Sequence, residues 1–297
     1  MTANPSSSRA DIGFLGVGPE KTGTTWVHKV LTRHPELWLP PRKELRYFWE
    51  DYFYPNEGPF ARFTKDNWHH QLHREYARQR VMAAVQNPRD TLRHRKRALW
   101  DTRNLLTRHD DDWYFAQFRN QPDQSPGEIS PQYFFLPREQ VEKVRRLCPN
   151  AKIIITLREP SAWIWSFVRM LVKKGELSLV GSDVDEWLDE RIAISSFTQA
   201  AKNWLGLFPQ GQAKIFFYED LTADPAAFYV DLCDFIGTNP RENVFGLLEK
   251  RSNIGRPMEQ PERLKKRMEE AWRDDVRELR QLLGRLPDAW LEKAALT

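Results

Sequence analysis

The chain has 297 residues, of which 40% are hydrophobic and 29% charged, the balance of a folded globular protein and not of a disordered one. Mean hydropathy is −0.67, and no apolar run nears the roughly 20 residues that cross a bilayer, so a membrane span is not expected. A net charge of +4 suits an anionic ligand but is too mild to imply nucleic acid, and two cysteines, Cys148 and Cys233, make neither a disulfide framework nor a metal site.

The polar start of the chain, residues 1–11, reads as a loose tail without the apolar core of a signal peptide, which points to a cytoplasmic protein. Residues 12–18 (IGFLGVG) read as a buried strand, and Thr24 to about Arg33 as a helix with Val27, Val30 and Leu31 on its apolar face. His34-Pro35 ends that helix, because the residue before a proline disfavours helix. "LWLPP" extends outward. Residues 49–125 are rich in Trp, His, Arg and Asp and carry helical stretches, so they read as a helical insertion. Within it His69, His70 and His73 lack a matched acidic set and read as a solvated helix face, not a metal site. "RHRKR", 93–97, reads the same way and gives little support to nucleic-acid binding. Residues 120–127 read as a loop.

A clear α/β run follows. The sequence predicts a helix over 139–147, a strand at "AKIIITLR", a helix opened by Pro160, helices over 184–207, a strand at "AKIFFYEDL", and a helix ended by Gly237. Leu264, Met268, Trp272, Val276, Leu279 and Leu283 recur at helical spacing, which predicts a C-terminal helix within 259–297. Strands alternating with helices argue for a parallel sheet covered on both faces.

The segment 19–26, "PEKTGTTW", has the makings of an anion cradle. A helix N-terminus offers backbone N–H groups and the positive end of a dipole. Gly23 lets the backbone turn closely, Thr22, Thr24 and Thr25 add hydroxyls, and Lys21 adds a mobile charge. Neither common phosphate loop fits. In a Walker A loop the lysine follows the second glycine, whereas Lys21 precedes Gly23, and no third glycine completes a G-x-G-x-x-G after Gly18. A nucleotide kinase or NTPase is therefore disfavoured. "IFFYED" has the look of a Walker B strand but lacks its partner loop.

"EKTGTTW" resembles the 5′-phosphosulfate loop of sulfotransferases that use 3′-phosphoadenylyl sulfate (PAPS). "TLREPSAWIWSF" resembles the same family's 3′-phosphate motif, with Arg158 at a strand end and Ser166 two helical turns in; Trp163 stands where members often carry another arginine. "PRKELRYF" resembles a segment of the bacterial and glycan (heparan-sulfate-type) branch in which the glutamate is the catalytic base, here Glu44. Arg46 stands where relatives often have histidine and hints at an anionic acceptor. The resemblance covers about 12–257. It implies one α/β domain, 12–297, with a P-loop-like central parallel sheet flanked by helices and the insertion lying over an acceptor cleft. It implies PAPS as donor, 3′-phosphoadenosine 5′-phosphate (PAP) as product, no metal, and a hydroxyl acceptor, with carbohydrate leading and another small metabolite next. The implied cofactor contacts are Lys21, Thr22, Gly23, Thr24, Thr25, Trp26, Arg158 and Ser166, with Arg251, Ser252 and Asn253 on a late loop. Glu44 is the implied base, and Lys21 the group that stabilises the leaving phosphate. Lys43, Arg46, Glu128, Ser130 and Tyr133 are implied acceptor contacts. A non-catalytic PAP-binding protein is the other class that fits.

Overall fold

A computed structural model describes residues 11–55, 57–65, 68–89, 95–119, 123–248 and 258–294, the side chains of residues 68 and 69 excepted. Residues 1–10 of the expected tail, and Arg251, Ser252 and Asn253, lie outside the described residues. The chain divides into two compact units: an α/β unit of Asp11–Leu39, Lys43–Leu45 and Gln121–Thr297, and a second that includes Pro40–Arg42 and Arg46–Asn120.

The α/β unit is built on five parallel strands in the order β2-β3-β1-β4-β5. They are β1 (Phe14–Gly16), β2 (Leu37–Trp38), β3 (Ser125–Ile129), β4 (Lys152–Leu157) and β5 (Ala213–Phe217). Phe14 and Leu15 are both buried, as are five successive residues of β4, so both faces of the central strands are covered. That explains their continuous apolar runs, since alternation is needed only where one face meets water. β1 sits between β3 and β4, and its neighbours on the two sides come later in the chain. The carboxyl ends of β1 and β4 therefore lie side by side where the strand order reverses, the place where open α/β sheets bind ligands.

Helix α1 (Thr24–Leu31) follows β1 and buries Trp26, Val27, Val30 and Leu31 in a core shared with Phe14, Ile129, Ile154 and Phe216. Part of the stretch expected as loop, 125–127, is strand. Gly127 pairs with Phe14, and a Cβ there would lie 2.5 Å from the Phe14 ring, so glycine is what lets β3 pack beside β1. Glycine weakens a strand signal, which hid this one. After β4, Pro160 opens a 15-residue helix ending at Lys174. Its cap is Glu159, whose carboxylate accepts from the N–H groups of Ser161 and Ala162. The expected C-terminal helix is divided into Glu262–Ala271 and Arg273–Leu283. Trp272, at the break, is buried and donates from Nε1 to Ser195 O at 2.9 Å, a tertiary bond that fixes the bend. Cys148 and Cys233 are buried and unbridged, as core residues.

In the second unit the described elements are helices: Tyr47–Phe53, Ala61–Thr64, Trp68–Gln86, Arg95–Leu106 and Asp111–Ala116. Its interior holds carboxylate–imidazole pairs. His73 Nε2 donates to Glu50 Oε1 at 3.1 Å, His109 Nδ1 to Glu50 Oε2 at 2.7 Å, and His70 Nε2 to Glu57 Oε2 at 2.7 Å. His70 and His73 are buried, which corrects the expectation of a solvated histidine face: their acidic partners stand 13 and 23 positions away in sequence. Burial works against the Glu50 carboxylate, but His109 and His73 hold its pKa well below the usual range.

Candidate active site

The loop between β1 and α1 is curled by two left-handed residues, Lys21 at φ 67° and Gly23 at φ 90°. Gly23 is the N-cap of α1, and its carbonyl accepts from the N–H groups of Trp26 and Val27. A side chain at 23 would meet Leu221 Cδ2 at 2.6 Å, so both conformation and space call for glycine.

Two residues of the expected cradle use their polar groups inside the fold. The buried Thr22 hydroxyl donates to Pro19 O at 2.6 Å and lies 2.7 Å from the Thr156 hydroxyl, which ties the loop to β4. Trp26 donates from its ring to Leu248 O at 3.2 Å and packs edge-on against Phe228. Thr22 and Trp26 thus shape and anchor the loop. Thr24 is buried, and Thr25 Oγ1 accepts from Lys43 Nζ at 3.1 Å.

Positive charge gathers on this loop. Arg158, one residue past β4, lies with Nη1 3.4 Å from Lys21 O and its guanidinium over the Tyr218 ring, 4.6 Å from the centroid. Lys21 Nζ reaches Met170 Sδ at 3.7 Å on the helix after β4. Burial and then the nearby Arg158 and Arg169 pull the Lys21 ammonium below its ordinary pKa; burial does the same to Arg158. Ser166 is buried on that helix. Trp163, in the position where an arginine was expected by resemblance, donates from Nε1 to Glu20 O at 2.8 Å and so holds the loop. Arg169 carried no sequence signal. The acid after β5, Glu219, accepts from the Glu159 N–H at 3.1 Å, beside the β4 end.

Glu44 stands in a second strained stretch. It is left-handed at φ 64°, and Arg46, the N-cap of Tyr47–Phe53 in the other unit, at φ 62°. Non-glycine residues in this region cost roughly 1–3 kcal/mol each and persist where the surroundings fix them. The Glu44 carboxylate accepts from Lys43 Nζ on Oε1 at 2.8 Å and from Gln132 Nε2 on Oε2 at 3.1 Å. Because Lys43 also donates to Thr25, one ammonium joins the start of α1 to the Glu44 carboxylate.

His28, on α1, neighbours this pair. Burial, reinforced by the Lys43 charge, pushes its pKa down to about 4, so the imidazole is neutral near pH 7. Its Nε2 is buried without a hydrogen bond in the described residues.

Three of the expected acceptor contacts face one another. Ser130 Oγ donates to Glu128 Oε2 at 2.6 Å and Tyr133 Oη to Glu128 Oε1 at 3.0 Å, and all three side chains are buried. The residue of that segment that reaches Glu44 is Gln132. Among the described residues no group of three or more His, Cys, Asp or Glu is placed to hold a metal ion, and no helix is long and apolar enough to cross a membrane.

The arrangement combines a curled, cation-rich loop at a sheet switch point with a hydrogen-bonded carboxylate one lysine away. It can bind a polyanion and place a proton acceptor near it. A family model described as "Sulfotransferase family" matches residues 14–242. No curated protein sequence matches the chain. Among solved structures, a sulfotransferase from Alicyclobacillus acidocaldarius shares 22% identity with a TM-score of 0.65, covering 95% of this chain and 99% of its own. The sulfotransferase domain of the Synechococcus PCC 7002 olefin synthase shares 21% identity with a TM-score of 0.56, covering 94% and 96%. A sulfotransferase domain from the curacin biosynthetic pathway shares 21% identity with a TM-score of 0.53, covering 82% and 80%. At these identities the likeness is one of fold.

Proposed function

Since the chain belongs to the sulfotransferase family, we propose that it transfers a sulfuryl group from PAPS to the hydroxyl of a small acceptor, a carbohydrate or another metabolite. PAPS supplies the activated sulfuryl group and carries its negative charges on a 5′-phosphosulfate and a 3′-phosphate. The residues present fit such a ligand. The curled loop 21–23 and the first turn of α1 suit the phosphosulfate, and Arg158 with Ser166 suits the 3′-phosphate. In this reading Lys21 leaves its thioether contact and neutralises charge on the departing phosphate oxygens.

Glu44 takes the proton of the acceptor hydroxyl on a carboxylate oxygen. Lys43 and Gln132 hold that carboxylate in one orientation, so little is lost to its reorientation when the acceptor arrives. Glu128, Ser130 and Tyr133 act at one remove: their buried network fixes the turn that carries Gln132. The observation that carries the reading is the bridge Thr25–Lys43–Glu44, which ties a proton acceptor to the anion loop.

Calorimetric titration tests it. Wild type is expected to bind PAP without added metal, and Arg158→Ala to lose that binding. Binding of magnesium-ATP in preference to PAP would overturn the proposal. PAP binding with turnover unchanged in folded Glu44→Gln would leave a PAP-binding protein without the proposed base.

A further inference from the structure

The helix Pro160–Lys174 lies along the anion loop by one face. Trp163 Nε1 donates to Glu20 O at 2.8 Å, and one turn beyond Ser166 the thioether of Met170 receives Lys21 Nζ at 3.7 Å. Ser166, Arg169 and Met170 stand three and four positions apart, the spacing that puts side chains on a common helical face. Arg169 is therefore presented toward the side of the helix on which Lys21 and Arg158 meet, where Arg158 Nη1 approaches Lys21 O.

The Arg169 Nε is buried and makes no hydrogen bond in the described residues. A buried guanidinium N–H without an acceptor is unfavourable, and it sits beside two further cations, which adds repulsion. The mutual influence is visible on Lys21, whose pKa falls through burial first and then through Arg158 and Arg169, with Glu20 acting in the other direction. Such a cluster becomes favourable when an anion of several charges enters it.

On the basis of the PAPS reading above, we propose that Arg169 is a donor-binding residue whose Nε and guanidinium receive a phosphate oxygen of the nucleotide, completing a Lys21–Arg158–Arg169 clamp. Its presence suits the replacement of a cation by Trp163 six positions earlier. The neutral ring holds the loop, and the charge enters from the next turns of the same helix.

The test is calorimetry on the full chain with PAP, AMP and adenosine 3′-monophosphate as probes, for wild type, Arg169→Met, Arg169→Gln and Arg169→Lys, with unliganded melting temperatures recorded for each. Arg169→Met and Arg169→Gln are expected to weaken PAP about ten- to hundredfold, the loss that goes with one charged hydrogen-bonded contact. Arg169→Lys recovers part of that loss. A loss shared by PAP and adenosine 3′-monophosphate but absent for AMP assigns the 3′-phosphate; the reverse pattern assigns the 5′-phosphate. Wild-type affinity for all three probes in either folded neutral variant overturns the assignment of Arg169 while the PAPS reading stands. Failure of wild type to bind PAP overturns both. A merely structural arginine would lower the unliganded melting temperature without changing PAP affinity, and that result also counts against the proposal.

Discussion

Gln132 Nε2 donates to Glu44 Oε2 at 3.1 Å, joining the short 3₁₀ turn after β3 to a residue 88 positions earlier. Lys43 occupies the other oxygen. A carboxylate held at both oxygens has a defined lone-pair direction, which is what a general base needs. Glu44→Gln is expected to lower turnover by about 10²–10⁴-fold, the usual worth of general base catalysis, with PAP affinity retained. Gln132→Ala is expected to lower turnover less, by about tenfold, and to leave PAP affinity alone. Steady-state rates beside PAP titrations check both; full turnover in Gln132→Ala would remove it from the positioning role.

Gly23→Ala places a methyl group in a left-handed residue and against Leu221. The conformational term alone is about 1–2 kcal/mol, enough to lower the melting temperature by several degrees. Either the Leu221 side chain or the loop must also shift to relieve the contact, and PAP affinity is expected to fall as well. A melting temperature and affinity equal to wild type would show that the loop does not depend on this geometry.

His28 gives a pH dependence with a definite sign. Its folded pKa is near 4 against about 6.5 unfolded, so between these values the unfolded chain binds more protons. Stability therefore falls as pH drops through that window and is flat above it. Urea midpoints near pH 7 and pH 5 check this. His28→Gln is expected to show the smaller decline; an equal decline would mean that the imidazole charges freely in the folded state.

The helical unit should be sensitive at Glu50, which accepts from two buried imidazoles. The second nitrogen of His109 lies 2.9 Å from Asn104 O, so both its nitrogens face acceptors. Burial pulls the His109 pKa below its ordinary value, with Glu50 acting in the other direction. Glu50→Ala leaves buried donors without their acceptor, an effect of about 3–5 kcal/mol. Hydrogen exchange over 46–119 is expected to accelerate strongly. Because the Glu50 pKa is depressed, its contribution is present at neutral pH and is lost as pH falls from the ordinary value of 4.5 to the low folded value.

What could be read in the sequence follows the range of the signal. The β1–loop–α1 unit, Arg158 and the helix behind it are local patterns, in which neighbouring residues carry the information. The start of β3, 125–127, reads as loop because its glycine answers to Phe14, far away in the chain. His70 and His73 were misread because a histidine's environment depends on a partner outside its own helix. Gln132 gave no sign at all: within "SPQYF" it is an ordinary polar residue, and its role exists only once β3 lies beside β1. Arg169 was hidden among the charges of an amphipathic helix, and only the approach of Lys21 to Met170 marks its face.

The close approach of Phe14 to Gly127 couples two positions far apart in the chain. A side chain at 127 is admissible only if the ring at 14 shrinks, so Gly127→Ala alone is far worse than Gly127→Ala with Phe14→Leu, and the two effects do not add. Since β1 leads directly into the anion loop and β3 into the turn of Gln132, a clash at this one pair would reach both halves of the proposed chemistry at once.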